Sequence, residues 1–248
     1  MIRLQAFFAE HREVALAFSG GVDSSFVLYC AARCGARVTP FFVKTPFQPE
    51  FELRDAQALA DELGIQLVVL ELDPLLLPEV ERNDSRRCYY CKRQILSAII
   101  SAARARGIST LIDGNNASDD AADRPGMRAV LEMGVYSPLR ECGVTKARVR
   151  ALSREAGLFT WDKPAYACLA TRIPTGTPIT REVLIRVERA ESAMAGLGFR
   201  DFRVRDMGEG ARLEVTGAQM AMVLEQREQV LEALTDYEAA TLDLRPRG

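Results

Sequence analysis

Short apolar runs alternate with longer stretches of helical periodicity along the first half of the chain. Four of these runs are bounded by turn residues and predict buried strands at Val14–Phe18, Val38–Val43, Gln66–Leu72 and Thr110–Asp113. Between them, apolar residues recur every three or four positions, which predicts helices near Asp23–Cys34, Glu50–Leu63 and Gln94–Arg106. This alternation predicts an α/β fold with a parallel sheet flanked by helices, in which ligands bind at the carboxyl ends of the strands.

The pattern changes after about residue 175. A helix of roughly Arg181–Ala195, capped by Thr180, is followed by two predicted strands at Arg203–Met207 and Arg212–Val215. A predicted helix at Gln219–Leu234 and a last strand at Ala240–Leu244 complete this part of the chain. This order predicts a smaller α+β domain. Because the intervening segment is rich in Pro, Gly and Thr, we place the boundary there. Residues 1–172 then form the α/β domain, and residues 173–248 form a C-terminal domain for substrate binding or oligomerisation.

Composition narrows the class of protein. The chain has 248 residues, 48% hydrophobic and 27% charged, which is ordinary for a soluble globular protein. Its net charge of −2 gives no overall attraction for nucleic acid. Charged residues interrupt the N-terminal segment where a signal peptide needs an apolar region, and we find no bilayer-spanning run. We therefore expect a cytoplasmic protein with no nucleic-acid or membrane partner, whose six cysteines are thiols, redox groups or metal ligands.

A glycine-rich loop follows the first predicted strand, where residues 16–25 are LAFSGGVDSS. The two glycines allow close approach of the backbone to a ligand, and the start of the next helix presents N–H groups and a positive dipole end. These features predict an anion site, although a turn that binds nothing is the alternative. The loop lacks the lysine of the GxxxxGK[ST] motif. It matches SGGxDS instead, the pattern of the PP-loop ATP pyrophosphatases, which have the adenine nucleotide alpha hydrolase-like fold. The predicted ATP-binding residues are Ser19, Gly20, Gly21, Val22, Asp23, Ser24 and Ser25.

Further polar residues belong to the same predicted sheet edge. Asp23 begins a helix, where its carboxylate can cap the helix or support a bound Mg²⁺ ion. Asp113, Gly114, Asn116 and Asp119 lie at the carboxyl end of the fourth strand, and we expect the first three to contact ATP. Turn formation alone is the alternative, because Asp and Asn are common in loops.

Three further segments narrow the family. They are DGNNASDDAADRPGMRA at 113–129, SPLRECGVTKARVRAL at 137–152 and WDKPAYACLATRIPTGTPIT at 161–180. Together with the loop they resemble the LarE family, the ATP-dependent sulfur transferases of nickel-pincer cofactor biosynthesis. The resemblance implies that the protein adenylates a carboxylate of pyridinium-3,5-biscarboxylic acid mononucleotide and inserts sulfur to give the thiocarboxylate. It also implies a small-molecule nucleotide substrate and a homo-oligomer such as a hexamer.

The cysteines bear on the source of the sulfur. In one branch of the family a protein cysteine gives up its sulfur, and in the other three cysteines hold a 4Fe–4S cluster that passes on a sulfide. Cys88 and Cys91 form a CxxC with basic flanks, and Cys168 lies in the cysteine-bearing segment of the family. Because three thiolates suit a cluster with one open iron, we predict that these cysteines are catalytic and bind the cluster. Sacrifice of Cys168 is the alternative, and buried thiols or a redox CxxC pair are further possibilities.

Basic residues near these cysteines favour thiolate and attract an anionic substrate. Arg203 and Arg205 alternate along a predicted strand and so share one face, although a solvated face is the commoner meaning of such charges. Glu191 follows Glu188 by one helical turn, and one of the two can contact substrate or metal, although exposed helix charge is the commoner meaning of such a pair. The predicted substrate-binding residues are Arg172, Lys92, Arg203, Arg205 and Glu191.

Three other functions are compatible with the PP-loop pattern. A tRNA thiolase also combines the loop with paired cysteines, but it needs a basic RNA-binding face that the composition does not indicate. An amidating ligase that uses ammonia needs no CxxC. A regulatory ATP-binding domain would bind ATP without releasing pyrophosphate.

Overall fold

The computed structural model describes residues 2–119 and 125–247, so that 120–124, within one of the family-like segments, lie outside the described residues. The chain divides into two compact units. The first comprises Met1–Val80 and Ser85–Lys163, and the second comprises Glu81–Asp84 and Pro164–Gly248. The second unit thus begins before the boundary predicted at 172/173, because the 3-10 turn Leu169–Arg172 packs against elements of the C-terminal part. In the described part of the chain, no helix has the length and apolarity needed to cross a membrane.

Parallel strands and helices alternate in the first unit. Its strands are β1 (Glu13–Ala17), β2 (Arg37–Lys44), β3 (Val68–Glu71) and β4 (Leu111–Ile112). The helices along this part of the chain are α1 (Ile2–Glu10), α2 (Val22–Arg33), α3 (Glu50–Glu62), α4 (Pro78–Glu81), α5 (Arg87–Arg104), α6 (Pro125–Glu132), α7 (Pro138–Glu141) and α8 (Lys146–Glu155). Short 3-10 helices lie at Pro74–Leu76 and Phe159–Asp162.

The sheet has the strand order β3-β2-β1-β4, and all of its pairs are parallel. β1 lies inside the sheet and is covered on both faces: Val14 and Leu16 pack in one apolar cluster and Ala15 packs in another. The alternation of side chains along a strand explains why a continuous apolar run is needed here. The predicted parallel sheet flanked by helices is therefore confirmed, and the carboxyl ends of β1 and β4 lie side by side.

One element of this unit begins earlier than predicted. The helix expected at Gln94–Arg106 is α5, which begins at Arg87 and so includes the CxxC. Its N-cap residue, Arg86, forms no capping hydrogen bond through its side chain. The residue at the helix start is therefore not of the Ser, Thr, Asp or Asn type that normally marks it, although Asp84 and Ser85 stand just before it.

The second unit contains one long helix, a three-stranded sheet and two short helices. These elements are α9 (Arg181–Gly196), β5 (Arg203–Asp206), β6 (Gly210–Glu214), α10 (Met220–Glu225), α11 (Arg227–Ala233) and β7 (Ala239–Leu242), with 3-10 turns at Leu169–Arg172 and Gly217–Gln219. β6 lies between β5, its antiparallel partner, and β7, its parallel partner. The single helix predicted at Gln219–Leu234 is divided at Gln226, whose φ of −102° and ψ of 28° are not helical. The second unit has an apolar core of its own, to which Met194, Phe199 and Val204 contribute.

Candidate functional site

The glycine-rich loop joins β1 to α2 in the first unit. Gly20 has a φ of +69°, and a Cβ at this position would lie 3.1 Å from the carbonyl oxygen of Glu52. Both the left-handed backbone and the close approach of α3 therefore require glycine. Ser24 steadies the loop, because its Oγ accepts a hydrogen bond from the N–H of Ser19 at 3.3 Å and lies 3.2 Å from the Ser19 Oγ.

The start of α2 is open to a ligand. Its N-cap residue is Gly21, which has no side chain to accept hydrogen bonds from the first-turn N–H groups. A helix end of this kind binds anions through those groups and the helix dipole. Val22 packs in the apolar core and Ser25 is fully buried, so these two predicted residues lie behind the loop.

The end of β4 packs directly against this helix start. A Cβ at Gly114 would lie 2.7 Å from the backbone nitrogen of Ser24 and 2.9 Å from its Cα. Only glycine fits that separation. The contact brings the loop after β4 beside the glycine-rich loop, as the shared sheet edge predicted. Asn116 turns the chain beyond it, since its N–H donates to Asp119 at 2.9 Å and its Oδ1 accepts from the N–H of Ser118 at 2.8 Å.

A cavity of about 250 Å³ opens between the two loops. Most of its lining is polar, as a phosphate site requires. The residues that line it are Ala17, Ser19, Gly21, Asp23, Ser24, Lys92, Asp113, Gly114, Asn115 and Asp119. Lys92, which the sequence suggested for the substrate, thus lies in the same cavity as the predicted nucleotide-binding residues.

Asp23 presents one unpaired carboxylate oxygen in this site. Its Oδ2 accepts a hydrogen bond from the Nζ of Lys146 at 2.5 Å, whereas its buried Oδ1 has no hydrogen-bond partner. Burial raises the pKa of Asp23 above 3.8, against the opposing effect of Lys146. A buried carboxylate oxygen without a partner is a suitable ligand for Mg²⁺, so the residue fits the ion predicted from the sequence.

Asp113 is held in place by neighbouring donors. Its Oδ1 accepts hydrogen bonds from the Ser137 hydroxyl at 2.8 Å and from the N–H of Asn115 at 3.0 Å. Burial raises the pKa of Asp113, and the charge of Lys92 is the largest opposing effect. Sequence reasoning missed Ser137, although this residue begins one of the family-like segments.

Lysines from distant parts of the chain surround the loop that itself contains none. Besides Lys92 and Lys146, Lys163 donates from its Nζ to the carbonyl oxygen of Gly20 at 3.3 Å and pairs with Asp55 at 2.6 Å. Lys163 therefore supports the backbone of the glycine-rich loop. It was also missed, although it lies in the family-like segment 161–180.

Cys88 and Cys91 lie in the first turns of α5. The Sγ of Cys88 is 3.5 Å from the Nη2 of Arg87, and this cysteine is exposed. Cys88 precedes Lys92 by four residues, so both side chains lie on one face of α5. The CxxC therefore lies one helical turn from the residue that lines the cavity.

Cys168 belongs to the second unit, where it precedes the 3-10 turn Leu169–Arg172 and is half-buried. Arg172 and Glu191 form a buried ion pair there, with Nε–Oε1 and Nη2–Oε2 distances of 2.8 and 2.9 Å. Arg203 and Arg205 both donate to backbone carbonyls near Cys168. The structure therefore brings four of the five predicted substrate-binding residues together, and substrate contact stays a prediction for them.

None of the six cysteines, all of which lie in the described part of the chain, forms a disulfide. Burial is the main cause that raises the pKa of Cys30 to about 12, so this core thiol is unreactive at neutral pH. Among the residues that the structure describes, no group of three or more His, Cys, Asp or Glu side chains is arranged to hold a metal ion. The 4Fe–4S cluster therefore stays a prediction from the sequence.

Comparison with known proteins gives matches over nearly the whole chain. The asparagine synthase family model matches residues 6–85, which include the glycine-rich loop. The pyridinium-3,5-bisthiocarboxylic acid mononucleotide synthase of Lactiplantibacillus plantarum is 33% identical over 245 residues, which cover 97% of this chain and 89% of that protein. An uncharacterized protein of Synechocystis is 38% identical over 218 residues, covering 88% and 81% of the two chains. An uncharacterized protein of Methanocaldococcus jannaschii is 25% identical over 228 residues, covering 92% and 87%.

Proposed function

The chain belongs to the LarE family of ATP-dependent sulfur transferases, and from this premise we propose that it converts a carboxylate of pyridinium-3,5-biscarboxylic acid mononucleotide into a thiocarboxylate. The observation that carries the proposal is the cavity between the glycine-rich loop and the loop after β4, with its open helix start. The similarity to a named synthase over 97% of the chain supports the same substrate class.

ATP activation takes place in this cavity. The N–H groups at the start of α2 and the ammonium group of Lys92 bind the phosphates and stabilise the charge of the departing pyrophosphate. A substrate carboxylate oxygen attacks the α-phosphorus, the bond from that phosphorus to the bridging oxygen breaks, and the acyl adenylate forms. Asp23 would hold Mg²⁺ through its unpaired Oδ1, and the ion would neutralise phosphate charge.

Sulfur transfer completes the reaction. A carboxylate is a poor electrophile, but AMP is a good leaving group, so sulfur can attack the carbonyl carbon of the adenylate and expel AMP. We propose Cys88, Cys91 and Cys168 as ligands of a 4Fe–4S cluster that would supply sulfide. Three thiolates can bind such a cluster and leave one iron open, which supports this proposal. The described residues form no ready metal site, and we assign no step of the reaction to the cluster.

The competing source of sulfur is Cys168 itself. Its thiolate attacks the acyl adenylate, AMP leaves, and a thioester forms. Removal of the Cα proton then breaks the Cβ–S bond, which leaves the thiocarboxylate and a dehydroalanine at position 168. No oxidant or reductant is needed, but each chain would act once.

Pyrophosphate release tests the substrate class. The protein is incubated with Mg-ATP and either pyridinium-3,5-biscarboxylic acid mononucleotide or bulk tRNA, and pyrophosphate is measured. We expect release with the mononucleotide and none with tRNA. Release with tRNA alone would refute the proposal in favour of a tRNA thiolase, and ATP binding without release in any mixture would indicate a regulatory domain.

Iron and acid-labile sulfide per chain test the sulfur source, measured in protein purified without oxygen. We expect one 4Fe–4S cluster per chain, which Cys88→Ala abolishes and Cys142→Ala leaves intact. If reconstituted protein contains no iron and Cys168 loses one H₂S during turnover, the sacrificial route is correct instead. We further propose a cytoplasmic homo-oligomer such as a hexamer, which light scattering after size-exclusion chromatography can check.

A further inference from the structure

Three arginines of the second unit donate hydrogen bonds to the backbone around Cys168. We call residues 165–171 the Cys168 segment. The hydrogen bonds are Arg203 Nη2 to Ala165 O at 2.7 Å, Arg172 Nη1 to Ala167 O at 2.8 Å and to Cys168 O at 3.4 Å, and Arg205 Nη1 to Thr171 O at 2.5 Å. Four carbonyl groups of one short segment are thus bonded to guanidinium groups.

The Cys168 segment has little regular structure of its own. Residues 163–168 form neither helix nor strand, and Leu169–Arg172 is a single 3-10 turn. A chain in this state has no hydrogen-bond ladder to fix its carbonyl groups, so side-chain donors determine its path. The arginines therefore supply the constraint that a helix or sheet supplies elsewhere.

Glu191 fixes the orientation of Arg172. Besides the two bonds from Arg172, its carboxylate accepts a bond from the N–H of Val204 at 2.9 Å and another from the hydroxyl of Tyr166 at 2.5 Å. The Tyr166 ring also lies against the guanidinium groups of Arg172 and Arg203, whose Cζ atoms are 4.6 and 5.2 Å from its centroid. α9, β5 and the Cys168 segment are therefore joined through one carboxylate.

Every nitrogen of the Arg172 guanidinium donates a hydrogen bond within the protein. Its side chain is fully buried, its Nε and Nη2 bond Glu191, and its Nη1 bonds the two carbonyls and the Thr171 hydroxyl at 2.9 Å. Because of this burial, a substrate phosphate could reach the guanidinium only if the surrounding residues moved. Arg205 differs, because its side chain is 28% exposed and its Nη2 makes no hydrogen bond in the described structure.

We propose that Arg172 and Glu191 are positioning residues for Cys168 and do not bind the substrate. The pair holds the Cys168 segment in one conformation, in which Cys168 is half-buried, and it acts on sulfur transfer only through that segment. The inference rests on the proposed function in one respect, namely that Cys168 is the residue that bears or binds the sulfur.

The principal test variant is Arg172→Lys. Lysine keeps the charge opposite Glu191 but lacks the planar fork that reaches the carbonyls of Ala167 and Cys168. In iron-free protein, without ATP or substrate, N-ethylmaleimide modification of Cys168 is followed by peptide mass spectrometry, with Cys142 as the internal reference. We expect Cys168 to react roughly tenfold faster than in the wild type, as a residue released from local order does. Arg189→Lys, an exposed substitution on α9, is the matched control.

Kinetics separate positioning from substrate contact. For Arg172→Lys we expect kcat of thiocarboxylate formation to fall about tenfold or more, with KM for the mononucleotide and ATP-dependent pyrophosphate release unchanged. A raised KM with unchanged kcat would show direct substrate contact and would overturn the inference. Wild-type values of both kcat and the Cys168 modification rate would also overturn it, because they would show that the pair does not position Cys168. If the wild type transfers no sulfur at all, the proposed function fails, while the modification rates still decide the positioning role.

A double variant separates positioning from stability. Arg172→Met alone leaves Glu191 buried without its cation and is expected to lower the thermal midpoint. Arg172→Met/Glu191→Gln is expected to restore it, because the unpaired charge is removed while the amide oxygen still accepts from the N–H of Val204. We expect the restored double variant to keep the low kcat, because the carbonyl bonds are still missing. Wild-type kcat in the restored protein would show a purely structural role and refute the inference.

Discussion

Gly114 offers the sharpest test of the nucleotide site, because its role depends on one contact. The φ of Gly114 lies outside the left-handed region, so alanine could adopt its backbone conformation. The obstacle is space: the added Cβ would meet three atoms of Ser24, the backbone nitrogen at 2.7 Å, Cα at 2.9 Å and Cβ at 3.1 Å. Two of these atoms are backbone at the start of α2 and cannot rotate away.

The size of the effect follows from that overlap. Non-bonded heavy atoms pack at about 3.5–4.0 Å, so the loop after β4 and the start of α2 must separate by roughly 0.5–1 Å. Overpacking of this kind costs about 1–3 kcal/mol of folding free energy. A displacement of about 1 Å at a preorganised site costs roughly 100-fold in function. We therefore expect Gly114→Ala to weaken Mg-ATP binding about 100-fold, equivalent to roughly 2.7 kcal/mol.

Isothermal titration calorimetry with Mg-ATP measures the loss of binding. Thermal unfolding measures the loss of stability, and we expect the unfolding midpoint to fall by about 2–4 °C for each kcal/mol lost. Gly126→Ala is the matched control in the same unit. Its Cβ would lie 3.8 Å from the carbonyl oxygen of Cys88 and 4.0 Å from the Cβ of Lys92, which are ordinary contacts. Binding by Gly114→Ala within about threefold of the wild type would refute the idea that this contact shapes the phosphate site.

Three further predictions concern the charged residues of the same site. Lys92→Ala should weaken Mg-ATP binding about tenfold, measured by calorimetry, because it removes the ammonium group from the cavity. Arg93→Ala, a substitution of the exposed neighbouring residue, should leave the affinity unchanged. Equal effects of the two substitutions would contradict the assignment of Lys92 to phosphate binding. Burial raises the pKa of Asp23 above 3.8, so this carboxylate is protonated at higher pH than an ordinary one. The affinity of the wild type for Mg-ATP should therefore fall as pH is lowered from 7 toward 5. The Asp23→Asn variant should bind Mg-ATP weakly, and its affinity should depend little on pH. If the affinity of both proteins falls in parallel, Asp23 is not the cause. Lys163→Met should lower the affinity for Mg-ATP about three- to tenfold, because it removes the hydrogen bond to the Gly20 carbonyl and leaves Asp55 without its cation. Unchanged affinity and an unchanged unfolding temperature would show that Lys163 does not support the glycine-rich loop.

Local sequence was sufficient for the parts of the protein that depend on periodicity and turn chemistry. The apolar run Val14–Phe18 and the following SGGVDSS predicted a buried strand, an anion-binding loop and the start of a helix, and the structure has β1 and α2 in those places. The four strands of the parallel sheet were all anticipated from their apolar runs, which are strongest in β1 because this strand is buried on both faces. The family similarly followed from contiguous segments.

Tertiary structure alone decided which distant residues meet. Nothing in the periodicity of α5 indicates that Lys92 lines the cavity of the glycine-rich loop, and nothing near Asp23 identifies Lys146 as its partner. Nothing in the local sequence pairs Arg172, which follows Cys168, with Glu191, which lies on a later helix. Folding pairs the two side chains, since a buried charge is tolerated only with a partner, and the partner is chosen by the packing of α9 against the turn after Cys168. Local patterns fix the elements and their chemistry, while the pairing of charges and the one close contact that requires Gly114 arise only when those elements pack together.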